Sequence, residues 1–250
     1  MKKIITAFFI SLAAATLTAE TLFDGGKAAA WESKKMTDQD GVVTGTIGYI
    51  PVLSKEFIPV PRGKKYTISG EFKINSDKKI QLYFGLTPYT AEGKVIPYTS
   101  VNTVSRLIAT LAKDIKAGDK SMVLKDAAEW KFHKHGYFAM NAKADRSDLP
   151  NLDLSPAPVI NDITVNEDGT VEIPFKKPFT KDYPAGTTVR QHLAGNSYIY
   201  AGNTGKNGEW VKFSKTFTAF YTGTAQIKVT FSAMAPKVQI ELRNVTVTAE

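Results

Sequence analysis

Apolar residues recur at every second position over most of the chain. The runs are Val43, Ile47 and Tyr49, then Tyr66, Ile68 and Phe72, then Ile80, Leu82 and Phe84, then Val171, Ile173 and Phe175. A period of two sends alternate side chains to opposite faces of a strand, so these segments are predicted strands with one face buried and one wet. The pattern is clearest near the C-terminus. There Trp210 opens a strand and Gly223 turns the chain, which returns through Ile227, Val229, Phe231, Val238, Ile240 and Leu242. Lys228, Thr230, Gln239, Glu241 and Arg243 take the alternate, wet positions. Pro59, Pro61, Gly63, Pro88, Gly93 and Pro97 punctuate the segments as turns. Strands that follow one another without intervening helices predict an all-β antiparallel sandwich.

One stretch departs from this period. Within residues 101–116, Val104, Leu107, Ile108, Leu111 and Ile115 have helical spacing, yet Val, Thr and Ile are also strand formers, so the pattern does not choose between helix and strand. Residues 101–163 are rich in Asp, Asn and Pro, notably from Asp145 to Asn151, and read as an irregular subregion inserted into the sandwich. Sandwiches commonly reach this length as one unit, so residues 20–250 are expected to form a single domain.

The N-terminus places the chain in a compartment. Met1, Lys2 and Lys3 form a positive start, residues 4–15 are apolar, and Leu17, Thr18 and Ala19 offer a small residue before a cut, the pattern of a secretory signal peptide over residues 1–19. The apolar run is shorter than the roughly 20 residues of a membrane span, so the expected product is a secreted protein, periplasmic or extracellular. Zero cysteines exclude a disulfide framework and thiol chemistry. The net charge of +8 falls to +6 when Lys2 and Lys3 leave with the leader, and the remaining charges alternate in sign. That balance argues against nucleic acid as a partner and suits adhesion to acidic glycans or cell surfaces.

Three motifs carry a resemblance. Residues 22–26 (Leu-Phe-Asp-Gly-Gly) with Trp31, residues 66–72 (Tyr-Thr-Ile-Ser-Gly-Glu-Phe), and residues 210–217 ahead of residues 238–242 resemble the galactose-binding-like jelly rolls used as carbohydrate-binding modules. The middle of the chain, with residues 83–86, 111–114, 117–119, Glu129, Trp130 and residues 184–190, is similar to secreted and phage-type surface proteins of unassigned activity. The resemblance implies a jelly roll, a poly- or oligosaccharide partner and no catalysis. It also implies a structural calcium between the first strand and an acidic residue near the last, where this chain has Asn244. No other cofactor is expected.

Residue types that could do chemistry are sparse. His133 and His135 have a spacing that puts both on one face of a strand, where a metal could use them, but no third ligand is implied, and two solvated histidines beside Lys131 and Lys134 is the simpler reading. No metalloprotease helix, nucleophile elbow or phosphate loop occurs. A glycosidase would need two facing carboxylates drawn from Asp114, Asp119, Asp126, Glu129, Asp145 and Asp148, which sequence cannot pair. No catalytic residue is therefore assigned.

Aromatics carry the binding reading, because sugar rings present flat C–H faces that stack on Tyr and Trp. Tyr83 should point outward from a strand whose Leu82 and Phe84 point in, and Tyr89 and Tyr98 flank the turn at Glu92, Gly93 and Lys94. Arg190, His192, Tyr198 and Tyr200 flank a turn at residues 194–197, and an odd-length hairpin there would converge all four on one wet face. Trp31 and Trp210 are expected in the core, while Trp130, in the insert, is a candidate for the ligand surface. The first reading is a secreted non-catalytic glycan-recognition module. An extracellular adhesion or structural protein is the alternative, and a secreted glycoside hydrolase a third.

Overall fold

The structure is a computed structural model that describes residues 19–76, 78–104, 107–196, 198–203 and 207–250, and of residues 200–203 the backbone alone. The leader expected over residues 1–19 lies outside the described residues except for Ala19. Among the described residues the chain is all-β, and each pairing between named strands is antiparallel.

Two sheets form the sandwich. The first comprises β1 (Glu20–Asp24), β2 (Thr37–Gln39), β3 (Val42–Ile47), β6 (Tyr66–Asn75), β15 (Trp210–Phe217) and β17 (Val238–Ala249), in the order β15-β6-β17-β3-β2. One flank of β17 is shared, β3 pairing with its first half and β1 with its second. The second sheet has β14 (Ile199–Asn203), β7 (Leu82–Tyr89) and β16 (Gln226–Ala233) side by side. Two short strands, β4 (Val52–Leu53) and β5 (Ile58–Pro59), divide the far edge of β16 between them.

The two sheets share one core. Phe84 of β7 lies with its ring centroid 4.2 Å from Phe213 of β15 and 6.1 Å from Phe72 of β6, so rings from the two sheets interdigitate. Trp31 packs edge-on to Phe23 and Phe231, and its indole N–H donates to the Gly25 carbonyl at 3.1 Å, which satisfies the polar edge of a buried Trp as expected. Ile227, Val229 and Phe231 all face this core, as their spacing predicts.

The opposite face of β16 is not wet. Lys228, Thr230 and Ser232 alternate with the core residues but are buried too. Lys228 Nζ donates to Glu32 at 2.6 Å and to the Lys55 carbonyl at 2.9 Å, and lies over the Phe57 ring. Loops therefore cover a face that alternation alone assigns to water. Trp210 also departs from expectation. It shares parity with Lys212 and Ser214 rather than with Phe213 and Phe217, so it lies half-buried on the outer face, under Arg243 (4.1 Å) and Lys73 (5.5 Å).

The inserted stretch is mostly loop but carries three short strands, β8 (Ala109–Leu111), β9 (Ser121–Lys125) and β10 (Gly136–Met140), which join β11 (Thr164–Val165), β12 (Val171–Pro174) and β13 (Thr188–Leu193) in a third sheet, ordered β10-β13-β8-β9-β12-β11. Residues 109–111 within the stretch of undecided period are thus strand. The sheet runs past residue 163 to Leu193. Its core, with Leu111, Trp130, Phe138, Phe175, Phe179 and Val189, shares no residue with that of the sandwich.

Candidate functional site

The chain leaves the sandwich after β7 and re-enters at β14, and the aromatics of interest lie where the insert meets the sandwich again. Tyr98 opens a single turn of 3-10 helix (Tyr98–Ser100) and is 40% exposed. Its ring centroid lies 5.2 Å from that of Tyr221, the planes tilted by 35°. Tyr221 belongs to the loop between β15 and β16, where Thr224 N–H and Oγ1 both close a turn on the Tyr221 carbonyl. Tyr221 and Phe220 wall a groove of about 520 Å³ whose polar lining includes Arg62, Lys64, Thr222 and Thr224. Lys64 is paired with Glu20, whereas Arg62 is exposed and has no ion-pair partner among the described residues.

A buried polar network holds this junction. Arg190 is fully buried and makes a bidentate pair with Asp148, Nη2 to Oδ2 at 2.7 Å and Nη1 to Oδ1 at 3.1 Å. Nη1 also donates to the Lys143 carbonyl, and Nε donates to His192 Nε2 at 3.1 Å. With Nε2 accepting, the imidazole donates from Nδ1 to the Thr99 carbonyl at 2.6 Å, next to Tyr98. Thr99 Oγ1 in turn accepts from Gly195 N–H. The other branch runs through Asp148 to Asn151, beside Pro150, whose ring seats on Gly223 in the Tyr221 loop. One ion pair thus fixes the backbone beneath Tyr98 and the prop against the loop of Tyr221.

Electrostatics agree with that geometry. Burial pushes the His192 imidazole down to about 4 against the opposing effect of the Thr99 hydrogen bond, so it is neutral at pH 7, as its two hydrogen bonds require. Burial would raise the Asp148 carboxyl, but hydrogen bonds from Arg190, Asn151 and the Lys143 N–H outweigh it and hold the group below the usual carboxylate range.

Several expected site residues lie elsewhere. Arg190 and His192 are buried, and they do not share a face with Tyr198. The expected hairpin does not form, because β13 pairs with β10 and β8 in the insert while β14 pairs with β7 in the sandwich. Tyr198 is half-buried and hydrogen-bonds Ser232 near Tyr83. The Tyr200 side chain lies outside the described residues. Tyr83 points away from Leu82 and Phe84 as expected, its hydroxyl donating to Gln81 at 2.8 Å. Tyr89 is buried edge-on to Phe57. Trp130 is buried with Phe132 and Phe138 in the core of the insert and presents no ligand surface. His133 and His135 are exposed in a turn closed by Gly136 N–H on the His133 carbonyl, not on a strand.

Of the expected aromatics, only Tyr98 comes near the junction groove, packing on Tyr221 without lining it, and the groove itself is walled by Phe220, Tyr221 and Arg62. Their signal was present in the sequence. The alternation of β15 ends at Phe217, so two aromatics at 220 and 221 just before Gly223 are loop-borne, the same argument that singles out Tyr98.

Four acids of this region cap loops. Asp119 accepts from Lys116 N–H, Asp182 from Ala117 N–H, Asp114 from Ala185 N–H and Asp145 from Ser147 N–H. For the implied calcium, Asp24, opposite Thr246 of the last strand, offers one carboxylate, with Oδ1 accepting from Gly26 N–H, and no three His, Cys, Asp or Glu side chains converge among the described residues, so backbone and amide carbonyls would have to complete the shell. No described helix is long and apolar enough to cross a membrane. Comparison with protein-family models, curated proteins and solved structures finds no match to this chain.

Proposed function

We propose that this chain is a secreted, non-catalytic glycan-recognition module, related to the galactose-binding-like jelly rolls, that binds saccharide at the Tyr98–Tyr221 groove. The observation that carries the reading is a pair of loop-borne tyrosines from distant parts of the chain, Tyr98 packed on Tyr221 where Tyr221 walls a groove that also holds Arg62, a guanidinium with no ion-pair partner among the described residues. Stacked rings offer an apolar platform for a pyranose C–H face, while Arg62, Thr222 and Thr224 can bond hydroxyls or a carboxylate. The rings are held by a rigid support, which lowers the ordering cost of binding. The acids of the insert support a non-catalytic reading, since each of the four loop-capping carboxylates above has a backbone N–H as partner.

Affinity electrophoresis of the chain from Glu20 against neutral and acidic polysaccharides tests this. At least one polysaccharide should retard the protein, and Tyr98→Ala combined with Tyr221→Ala should weaken retention by roughly tenfold or more, from about 1 kcal/mol per lost ring contact. Retardation by none, or retention unchanged in the double variant, would overturn the assignment.

A further inference from the structure

The end of the sandwich opposite the tyrosine groove has a different surface. β16 runs from Gln226, beside the groove, to Ala233, and eight residues at about 3.3 Å each separate the two ends by roughly 25 Å. At the far end two loops meet, residues 48–51 after β3 and residues 234–237 before β17. They are locked backbone to backbone, with Ala233 N–H donating to the Gly48 carbonyl at 2.9 Å. A Cβ on Gly48 would stand 2.5 Å from the Pro236 carbonyl oxygen, so only glycine permits this approach. β3 ends at Ile47, and Tyr49, placed by alternation in a half-buried strand, is instead 61% exposed at the tip of this loop. Ile50 beside it is 84% exposed and Met234 on the other loop 59%.

Three large apolar side chains on a rigid tip are a costly exposure unless something covers them. What surrounds them is basic. Lys34, Lys35 and Lys237 line the same open groove of about 880 Å³ as Tyr49 and Ile50, and none has an ion-pair partner among the described residues. The one acid lining it, Glu32, is committed to Lys228. Lys78 and Lys79, exposed in the turn between β6 and β7, lie at this end as well.

We infer that this tip docks on the surface of an anionic lipid bilayer, with Ile50, Tyr49 and Met234 entering the interface and the lysines meeting the headgroups. Apolar tips with a positive collar, in a groove whose one described acid, Glu32, is committed to Lys228, are complementary to a surface that is apolar within and negative outside. Neither signal is large alone, and together they give reversible attachment. The tyrosine groove would then face away from the membrane, although the inference does not depend on what that groove binds.

Co-sedimentation with vesicles tests the inference, using the chain from Glu20, which carries every described strand and both cores and lacks the apolar residues 4–15 that would bind lipid themselves. The protein should pellet with mixed phosphatidylglycerol–phosphatidylcholine vesicles and not with phosphatidylcholine alone. Lys34→Ala, Lys35→Ala and Lys237→Ala together should weaken binding by roughly a hundredfold. Ile50→Ser with Met234→Ser should weaken it by roughly tenfold or more at unchanged melting temperature, since both side chains are exposed. No pelleting with anionic vesicles overturns the inference, as does pelleting indifferent to both sets of substitutions. Self-association lost in the Ile50→Ser and Met234→Ser variant, without vesicle binding, would assign the tip to a second copy and overturn it equally. Binding to a soluble polyanion that ignores the apolar pair, again without vesicle binding, would reduce the tip to a charge patch.

Discussion

Replacing Asp148 with alanine should be among the most damaging single changes in this chain. The Arg190 side chain is 1% exposed and Asp148 8%, so the substitution leaves a guanidinium buried without its counter-charge. Two of its hydrogen bonds go to the lost carboxylate, and the remaining partners, the Lys143 carbonyl and His192 Nε2, are neutral. Breaking a buried pair from one side costs about 3–5 kcal/mol, which for a chain of this size is a fall of roughly 6–20 °C in melting temperature. Calorimetry at pH 7 is the assay. With two separate cores the melt can resolve into two transitions, and the loss belongs to the one that unfolds the insert. Removing both charges, Asp148→Leu with Arg190→Met, should recover at least half of the loss, because no orphan charge remains. An Asp148→Ala protein that melts within about 3 °C of the parent, roughly 1 kcal/mol for a chain of this size, would refute the claim that this pair holds the junction.

Acid should weaken the same junction. The folded His192 pKa of about 4 lies below its ordinary 6.5, so the unfolded chain takes up a proton first as pH falls; the stabilisation is complete above about 6.5 and fades toward pH 4. The full effect is about 3 kcal/mol, and a His192→Gln variant whose pH–stability curve matched the parent's over that window would contradict it. Phe231→Ala should cost about 3–5 kcal/mol through the cavity left between the sheets, and a near-neutral urea midpoint would refute the sandwich register. Gly223→Ala should destabilise by at least about 1 kcal/mol and weaken any saccharide retention, since φ there is +81° and the new Cβ would meet Pro150 Cδ at 2.4 Å; a variant as stable and as well retained as the parent would remove Pro150 as the prop.

The sequence shows which face of a strand a residue takes more reliably than what lies against that face. Ile227, Val229 and Phe231 point into the core as their spacing predicts, but nothing local in Lys228 and Thr230 reports that loops bury them too. The outer position of Trp210 is legible in the sequence, since its parity with Lys212 and Ser214 sets it opposite Phe213. The hairpin expected at residues 194–197 failed for another reason. Two strands adjacent in sequence usually pair, yet here the connection crosses from the sheet of the insert to that of the sandwich, and no local residue records a partner in another sheet. The composition of the insert conceals its short strands, because the Asp residues between them cap turns and nothing local reports the pairing.

Arg190 and His192 show how a residue can belong to a site without lining it. Their polarity beside Val189 and Leu193 is what made them stand out, and a wet recognition face was the reading that needed no distant partner. Burial makes that polarity costly, and the cost is met only where Asp148, Thr99 and Lys143 converge on the same two side chains. Such a network tolerates few alternative arrangements, because any shift leaves a charge or an N–H unpaired in low dielectric. Tyr98 and Tyr221 come from different parts of the fold, and each ring is carried by its own loop. Their packing therefore depends on the network beneath them, and substitutions at Asp148 or Gly223, which no ligand would touch, should loosen the platform before the exposed faces of the rings are altered.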